Sequence, residues 1–135
     1  MNTDSTRKVG LLGRAVVLLM LFAAAGCQSR LNDQRTLKLD GGLDSFITLD
    51  PPRYDQAIAV TVSADVPVDV YVFLDADREE AERQVAFGKK SPKFLADREK
   101  MQEGTLEAKV PAKQKAVVMV RSTRSGTATV KIVGR

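Results

Sequence analysis

From Thr36 to the end of the chain, apolar residues recur at every second position, which predicts strands rather than helices. Thr36-Leu37-Lys38-Leu39 alternates, and Asp40-Gly41-Gly42 then supplies a turn. Ser45 to Leu49 reads as a second short strand, closed by Asp50-Pro51-Pro52. Ala57 to Ala64 sets Ile58, Val60 and Val62 on one face. Pro67 to Leu74 sets Val68, Val70, Val72 and Leu74 on one face, opposite Asp69, Tyr71 and Phe73. Between these two strands, Asp65-Val66-Pro67 suits a hairpin connection. Thr105 to Val110 alternates again, and Lys115 to Arg121 carries Ala116-Val117-Val118-Met119-Val120, a run that is buried on both faces or central in a sheet. Thr127 to Val133 follows a Ser125-Gly126 turn. The expectation is a mainly β protein, an antiparallel β-sandwich of about seven strands.

One stretch departs from this pattern. Asp75 to Glu103 spans 29 residues, of which 15 are charged. Within it, Asp77 to Phe87 has helix-forming composition, with acids first, where the helix dipole favours them, and Gly88 as a stop. The segment 75–103 therefore reads as a helical excursion between strands. It is long and polar, so it is expected to be dispensable for folding and to offer a surface to partners through Arg78, Arg83, Lys89, Lys90 and Lys93. Phe87, Phe94 and Leu95 are the exceptions, apolar enough to cover a sheet edge or face.

The beginning of the chain has a different character. Arg7, Lys8 and Arg14 precede the eleven uncharged residues Ala15 to Ala25, and small residues follow. A basic region, a short apolar region and a small-residue cleavage point describe an N-terminal signal helix. As a helix the apolar run rises roughly 17 Å, too short for a hydrocarbon core of about 30 Å. Ala24-Ala25-Gly26-Cys27 resembles the lipobox of bacterial lipoproteins. That resemblance implies cleavage between Gly26 and Cys27 and a lipid on the Cys27 sulfur, the one group here nucleophilic enough, as thiolate, to take it. It also implies a membrane partner through that covalent lipid. Gln28, where Asp commonly retains such proteins in the inner membrane, points to the outer membrane facing the periplasm if the source is Gram-negative. The organisation is then a signal peptide 1–26, a lipidated cysteine and tether 27–35, and a domain 36–135.

Composition narrows the chemistry. His is absent and Cys occurs once, so a Ser-His-Asp or Cys-His mechanism and a structural zinc site are both excluded within one chain. Losing Arg7, Lys8, Arg14 and Asp4 with the leader lowers the formal charge from +4 to +2, with the signs mixed along the chain, which does not suit nucleic acid. Asp75-Ala76-Asp77-Arg78-Glu79-Glu80 fails as an EF-hand loop, because Glu80 and Ala86 occupy the positions that need Gly and Glu. No metal, cofactor or catalytic residue is predicted, and no carboxylate pair is marked out for hydrolysis. Tyr54 and Tyr71, with Arg53, are candidates for a carbohydrate-stacking patch, against the alternative of strand-face packing.

Three strand motifs, Val66-Pro67-Val68-Asp69-Val70-Tyr71-Val72, Leu106-Glu107-Ala108-Lys109-Val110-Pro111-Ala112 and Val117-Val118-Met119-Val120, lead to a closing Ala128-Thr129-Val130-Lys131-Ile132. Together they resemble bacterial extracytoplasmic β-sandwich domains of the pre-peptidase C-terminal and GOLD-like kind. The resemblance implies a non-catalytic accessory or binding module, here one that takes an envelope protein or glycan. The alternative is a purely structural envelope lipoprotein that supports an assembly. The anchor is tested directly. Cys27→Ser should abolish incorporation of a fatty-acid probe in growing cells, and labelling that survives the substitution would place the lipid elsewhere.

Overall fold

A computed structural model describes residues 31–135; Gly26 and Cys27, the signal segment and the first residues of the tether lie outside them. Six strands form one antiparallel network: β1 (Asn32–Leu39), β2 (Asp44–Thr48), β3 (Gln56–Leu74), β4 (Ala96–Val110), β5 (Ala116–Arg121) and β6 (Gly126–Gly134). A 3-10 turn (Asp75–Asp77) and one helix, α1 (Arg78–Ala86), separate β3 from β4.

β3 organises the fold. Its first half pairs with β6 along one edge and with the end of β4 along the other. Its second half pairs with β5 and with the beginning of β4. β1 extends the first half-sheet beyond β6, and β2 extends the second beyond β5. The β3–β4 ribbon thus belongs to both layers of a β-sandwich and nearly closes it into a barrel. The expected hairpin at Asp65-Val66-Pro67 is instead a bend within one 19-residue strand. The register slips between Ser63 and Val68, where β3 holds extra residues against β4. Pro67 has no N–H to lose from a ladder, and its carbonyl accepts the Ser122 hydroxyl at 2.9 Å. Asp65 Oδ1 accepts the Thr127 N–H at 2.8 Å and fixes the bend to β6.

Two further differences share one cause. The tether was expected to reach Arg35, but β1 starts at Asn32. The excursion was expected to reach Glu103, but Ala96 onward is β4. Both strands lie at sheet edges, where one side meets water and charged residues guard the exposed backbone, so their composition reads as loop. β4 carries a further irregularity opposite Asp69. Lys100 takes a left-handed conformation (φ 53°), and its N–H donates to Asp69 Oδ1 at 2.9 Å.

Between the layers lies the main core, built from Ile58, Val60, Val62, Val68, Val70, Val72, Leu106, Val118, Val120, Val130 and Ile132 with their neighbours. The outer face of the first layer is polar, as in the Thr61–Thr105 hydroxyl pair at 3.1 Å. The outer face of the second layer is apolar and carries Tyr71, Phe73, Val117 and Met119. Ala81 and Val85 of α1 cover it, with Phe94 stacked at ring-centroid distances of 5.1 Å from Tyr71 and 6.4 Å from Phe73. This explains why residues 116–120 are apolar without alternation: Val118 and Val120 enter the main core, whereas Val117 and Met119 enter the second.

The charged excursion is therefore structural, against the expectation that folding does not need it. Burying a large apolar side chain contributes about 1.5–3 kcal/mol, and four such side chains lie beneath the cover, against a total stability of about 5–15 kcal/mol. Replacing Arg78 to Lys93 with a Gly/Ser linker, or making Val85→Asp, should lower stability by at least about 4 kcal/mol or prevent folding. Urea unfolding followed by circular dichroism measures this, and an unchanged midpoint would show that α1 is an appendage.

Candidate functional site

The predicted partner residues all sit on or beside α1, and most of them are engaged. Arg78 lies over the Phe46 ring at 4.3 Å and pairs with Glu82 at 3.2 Å and Asp75 at 3.9 Å. Lys93 reaches back to Glu80 at 2.9 Å and Asp77 at 3.4 Å, and these carboxylates raise its pKa. Lys90 pairs with Asp97 at 3.5 Å and Arg83 with Glu79 at 3.7 Å. Lys89 forms no ion pair among the described residues. Arg78 and Lys93 thus pin the helix to the second layer and to its return loop, whereas Arg83, Lys89 and Lys90 gather around the C-terminal end of α1.

That end is well defined. The Lys89 N–H donates to the Gln84 carbonyl at 2.8 Å and the Gly88 N–H to Val85 at 3.0 Å, with Gly88 left-handed (φ 68°). This paired closure ends the helix without fraying. It leaves Phe87 pointing outward at 72% exposure, unlike Phe94 and Leu95, which pack inward. Arg121 of β5 ties this point to the β1–β2 turn, since it donates to the Val85 carbonyl at 3.3 Å and pairs with Asp44 at 3.4 Å. Leu43, 63% exposed, precedes Asp44. Phe87 thus follows the helix end that Arg121 holds, with Arg83, Lys89 and Lys90 close to it in the chain, and Leu43 precedes the Asp44 that pairs with the same guanidinium. Sequence reasoning missed Leu43 and Arg121, because only the fold brings the β1–β2 turn to the helix end.

A second feature is a cleft of about 550 Å³ beside the two ends of β4. Ile58, Ala108, Leu95 and Phe94 give it apolar walls, and Lys109, Glu107 and Arg135 line its polar side. Glu107 is the one carboxylate there and is paired with Arg135 at 3.0 Å, so the cleft holds no acid–base pair. Among the described residues, no group of three acidic, His or Cys side chains is placed to hold a metal ion. The two tyrosines do not combine into a stacking platform. Tyr71 is 5% exposed beneath Phe94, whereas Tyr54 stands in the β2–β3 loop at 78%.

No family profile matches the chain, and no curated protein sequence does. Solved structures do share its fold. The pre-peptidase C-terminal domain of a collagenase from Bacillus anthracis aligns with a TM-score of 0.55 at 12% identity, over 76% of this chain and 89% of that one. A periplasmic inhibitor of g-type lysozyme from Aeromonas hydrophila aligns with a TM-score of 0.52 at 12% identity, over 82% and 90%. The Yersinia pseudotuberculosis-derived mitogen gives a TM-score of 0.53 at 4% identity, over 78% and 86%. At these identities the likeness is one of fold: the chain is a β-sandwich of the architecture that the pre-peptidase C-terminal domain also uses.

One ionisable group in the second core makes a pH-dependent contribution. Burial pushes the Tyr71 phenol up to about 12, helped by the charges of Asp69 and Glu99 and opposed by Arg121; its hydroxyl donates to Glu99 at 3.4 Å. The folded protein holds this proton to higher pH than the unfolded chain, whose value is 10.0. The stability that results is complete below pH 10 and is lost as pH rises towards about 12. Tyr71→Phe should therefore flatten the fall in stability over that window and change stability at pH 7 by no more than about 1 kcal/mol. Equal slopes for the two proteins in urea titrations would remove Tyr71 as the cause.

Proposed function

We propose that this chain is a non-catalytic binding domain of the bacterial cell envelope, held to the membrane by lipid on Cys27, which captures a protein partner at the Phe87–Leu43 end. The observation that carries the reading is the pair of exposed apolar residues, Phe87 and Leu43, next in the chain to the two points that Arg121 ties together. Aromatic residues, Phe among them, and arginine are enriched at protein–protein interfaces. The guanidinium is held in place before binding, so little ordering cost remains.

The fold supports the binding role, since a pre-peptidase C-terminal domain and a periplasmic lysozyme inhibitor share it. The second of these also supports an envelope location. Membrane attachment would come from the lipid, favouring the outer membrane through Gln28; no helix among the described residues is long and apolar enough to cross a bilayer. The burial of Tyr71 favours a protein over a glycan, because it leaves Tyr54 without a second ring beside it.

A photoreactive phenylalanine analogue placed at position 87 in living cells should give a discrete protein adduct. The same analogue at Lys131, exposed on the outer face of β6, should not. Phe87→Ala should cost at least about 1 kcal/mol of binding, roughly a fivefold loss of affinity, with thermal stability unchanged. Indistinguishable adducts at the two positions would refute this surface.

A further inference from the structure

We infer that the end of the sandwich bearing Tyr54 lies against the membrane, with Arg53, Lys109, Lys113 and Lys115 facing anionic phospholipid headgroups and Tyr54 seated at the interface. The inference rests on the proposed lipid at Cys27 and goes beyond it, because a lipid tether alone leaves the domain free to turn. The start of the domain locates the end in question. The Leu31 carbonyl accepts the Gly134 N–H at 2.9 Å, and the Arg135 N–H donates to Ala57 at 2.8 Å. Two loops share this end and are bonded to each other: Lys113 N–H donates to the Pro52 carbonyl at 2.7 Å and Ala112 N–H to Asp55 Oδ1 at 2.8 Å. Tyr54 is thus held outward on a fixed loop at 78% exposure. Three residues, Gln28 to Arg30, separate Cys27 from Leu31, and the four chain steps reach at most about 14 Å even fully extended. The lipid therefore brings this end, and not the opposite one, next to the headgroups.

The charges at this end fit that placement. Its acids include Asp33, which pairs with Arg35, and Asp50, Asp55, Asp75 and Glu107. Asp55 accepts the Ala112 N–H, Glu107 pairs with Arg135 and Asp75 with Arg78. Arg53, Lys109, Lys113 and Lys115 have no ion-pair partner among the described residues, and Asp50 and Asp55 are the unpaired acids that oppose them. At the opposite end the turns carry Asp40 and Asp65 beside Arg124, and the cations at the helix end there include Arg83 and Lys90, which are paired with Glu79 and Asp97. The surface potential of an anionic leaflet decays within about 8 Å at physiological salt, so only groups brought this close feel it. Tyrosine suits the same depth, with its ring among the first acyl carbons and its hydroxyl in the headgroups.

The chain has no Trp, so a single introduced Trp reports its own surroundings. The full-length precursor is processed in cells as Tyr54→Trp and, separately, as Leu43→Trp at the opposite end. Each protein is purified, its lipid confirmed by mass, and reconstituted into phosphatidylethanolamine–phosphatidylglycerol vesicles. Tyr54→Trp should show blue-shifted emission, quenching by brominated lipid and loss of acrylamide quenching, whereas Leu43→Trp stays open to water. Adding Arg53→Glu and Lys113→Glu, or using phosphatidylcholine vesicles, should restore acrylamide access at position 54. If the lipid is present and both reporters are equally accessible, or protection survives the charge reversals, the orientation is overturned and the anchor stands. Absence of lipid on Cys27 would overturn the anchor, and this orientation with it.

Discussion

The bend of β3 is the constraint on which the other elements depend. A strand that leaves one layer and returns in the other needs a local break in pairing, and the break must be held. Pro67 withdraws a donor, Ser122 engages its carbonyl, and Asp65 captures the N–H of Thr127. These contacts reach the β5–β6 turn and β6 itself, so the corner is locked by the elements it organises. With the corner set, the even-numbered residues of β3 face inward on both sides of it, and one strand supplies core to both layers.

The second consequence is an outer face that cannot be left wet. The second layer presents Tyr71, Phe73, Val117 and Met119 outward, and α1 with Phe94 closes over them. The charged residues of this segment hold that cover down. Arg78 over Phe46 and Lys93 across Asp77 and Glu80 fasten its two ends. Individually such exposed pairs contribute little. Here they orient a helix whose hold on the sheet comes from Ala81 and Val85.

How much of this was legible in the sequence follows from where each residue faces. The doubly buried run at 116–120 and the alternation at 105–110 and 127–133 have no reading other than strand, and they are strands. The bend was not legible. A three-residue turn at 65–67 and a continuous bent strand both keep Val62 and Val68 on the same face, so the pattern cannot separate them. Asn32 to Arg35 and Ala96 to Glu103 were hidden because edge strands are chosen for charge. The helix composition was visible, and so was the apolar character of Phe94. What lay beneath them was not, because Tyr71 and Phe73 alternate with the core valines as a solvent-facing set would. The grouping of Phe87 with Leu43 and Arg121 joins three distant stretches, and no local pattern encodes it.

The pairing of β1 with β6 has a consequence for how the molecule comes into being. Asn32 meets Val133, so the first and last strands of the domain are neighbours. Contacts this far apart in sequence form slowly, because the closure entropy of the whole chain must be met before they stabilise anything. Until β6 is available, the first layer has neither that strand nor a partner for β1. A chain released early would expose the valines of β3 with nothing beside them. Folding of the first layer is thus gated by the arrival of β6, and a chain cut before it reveals itself by the open sheet it displays.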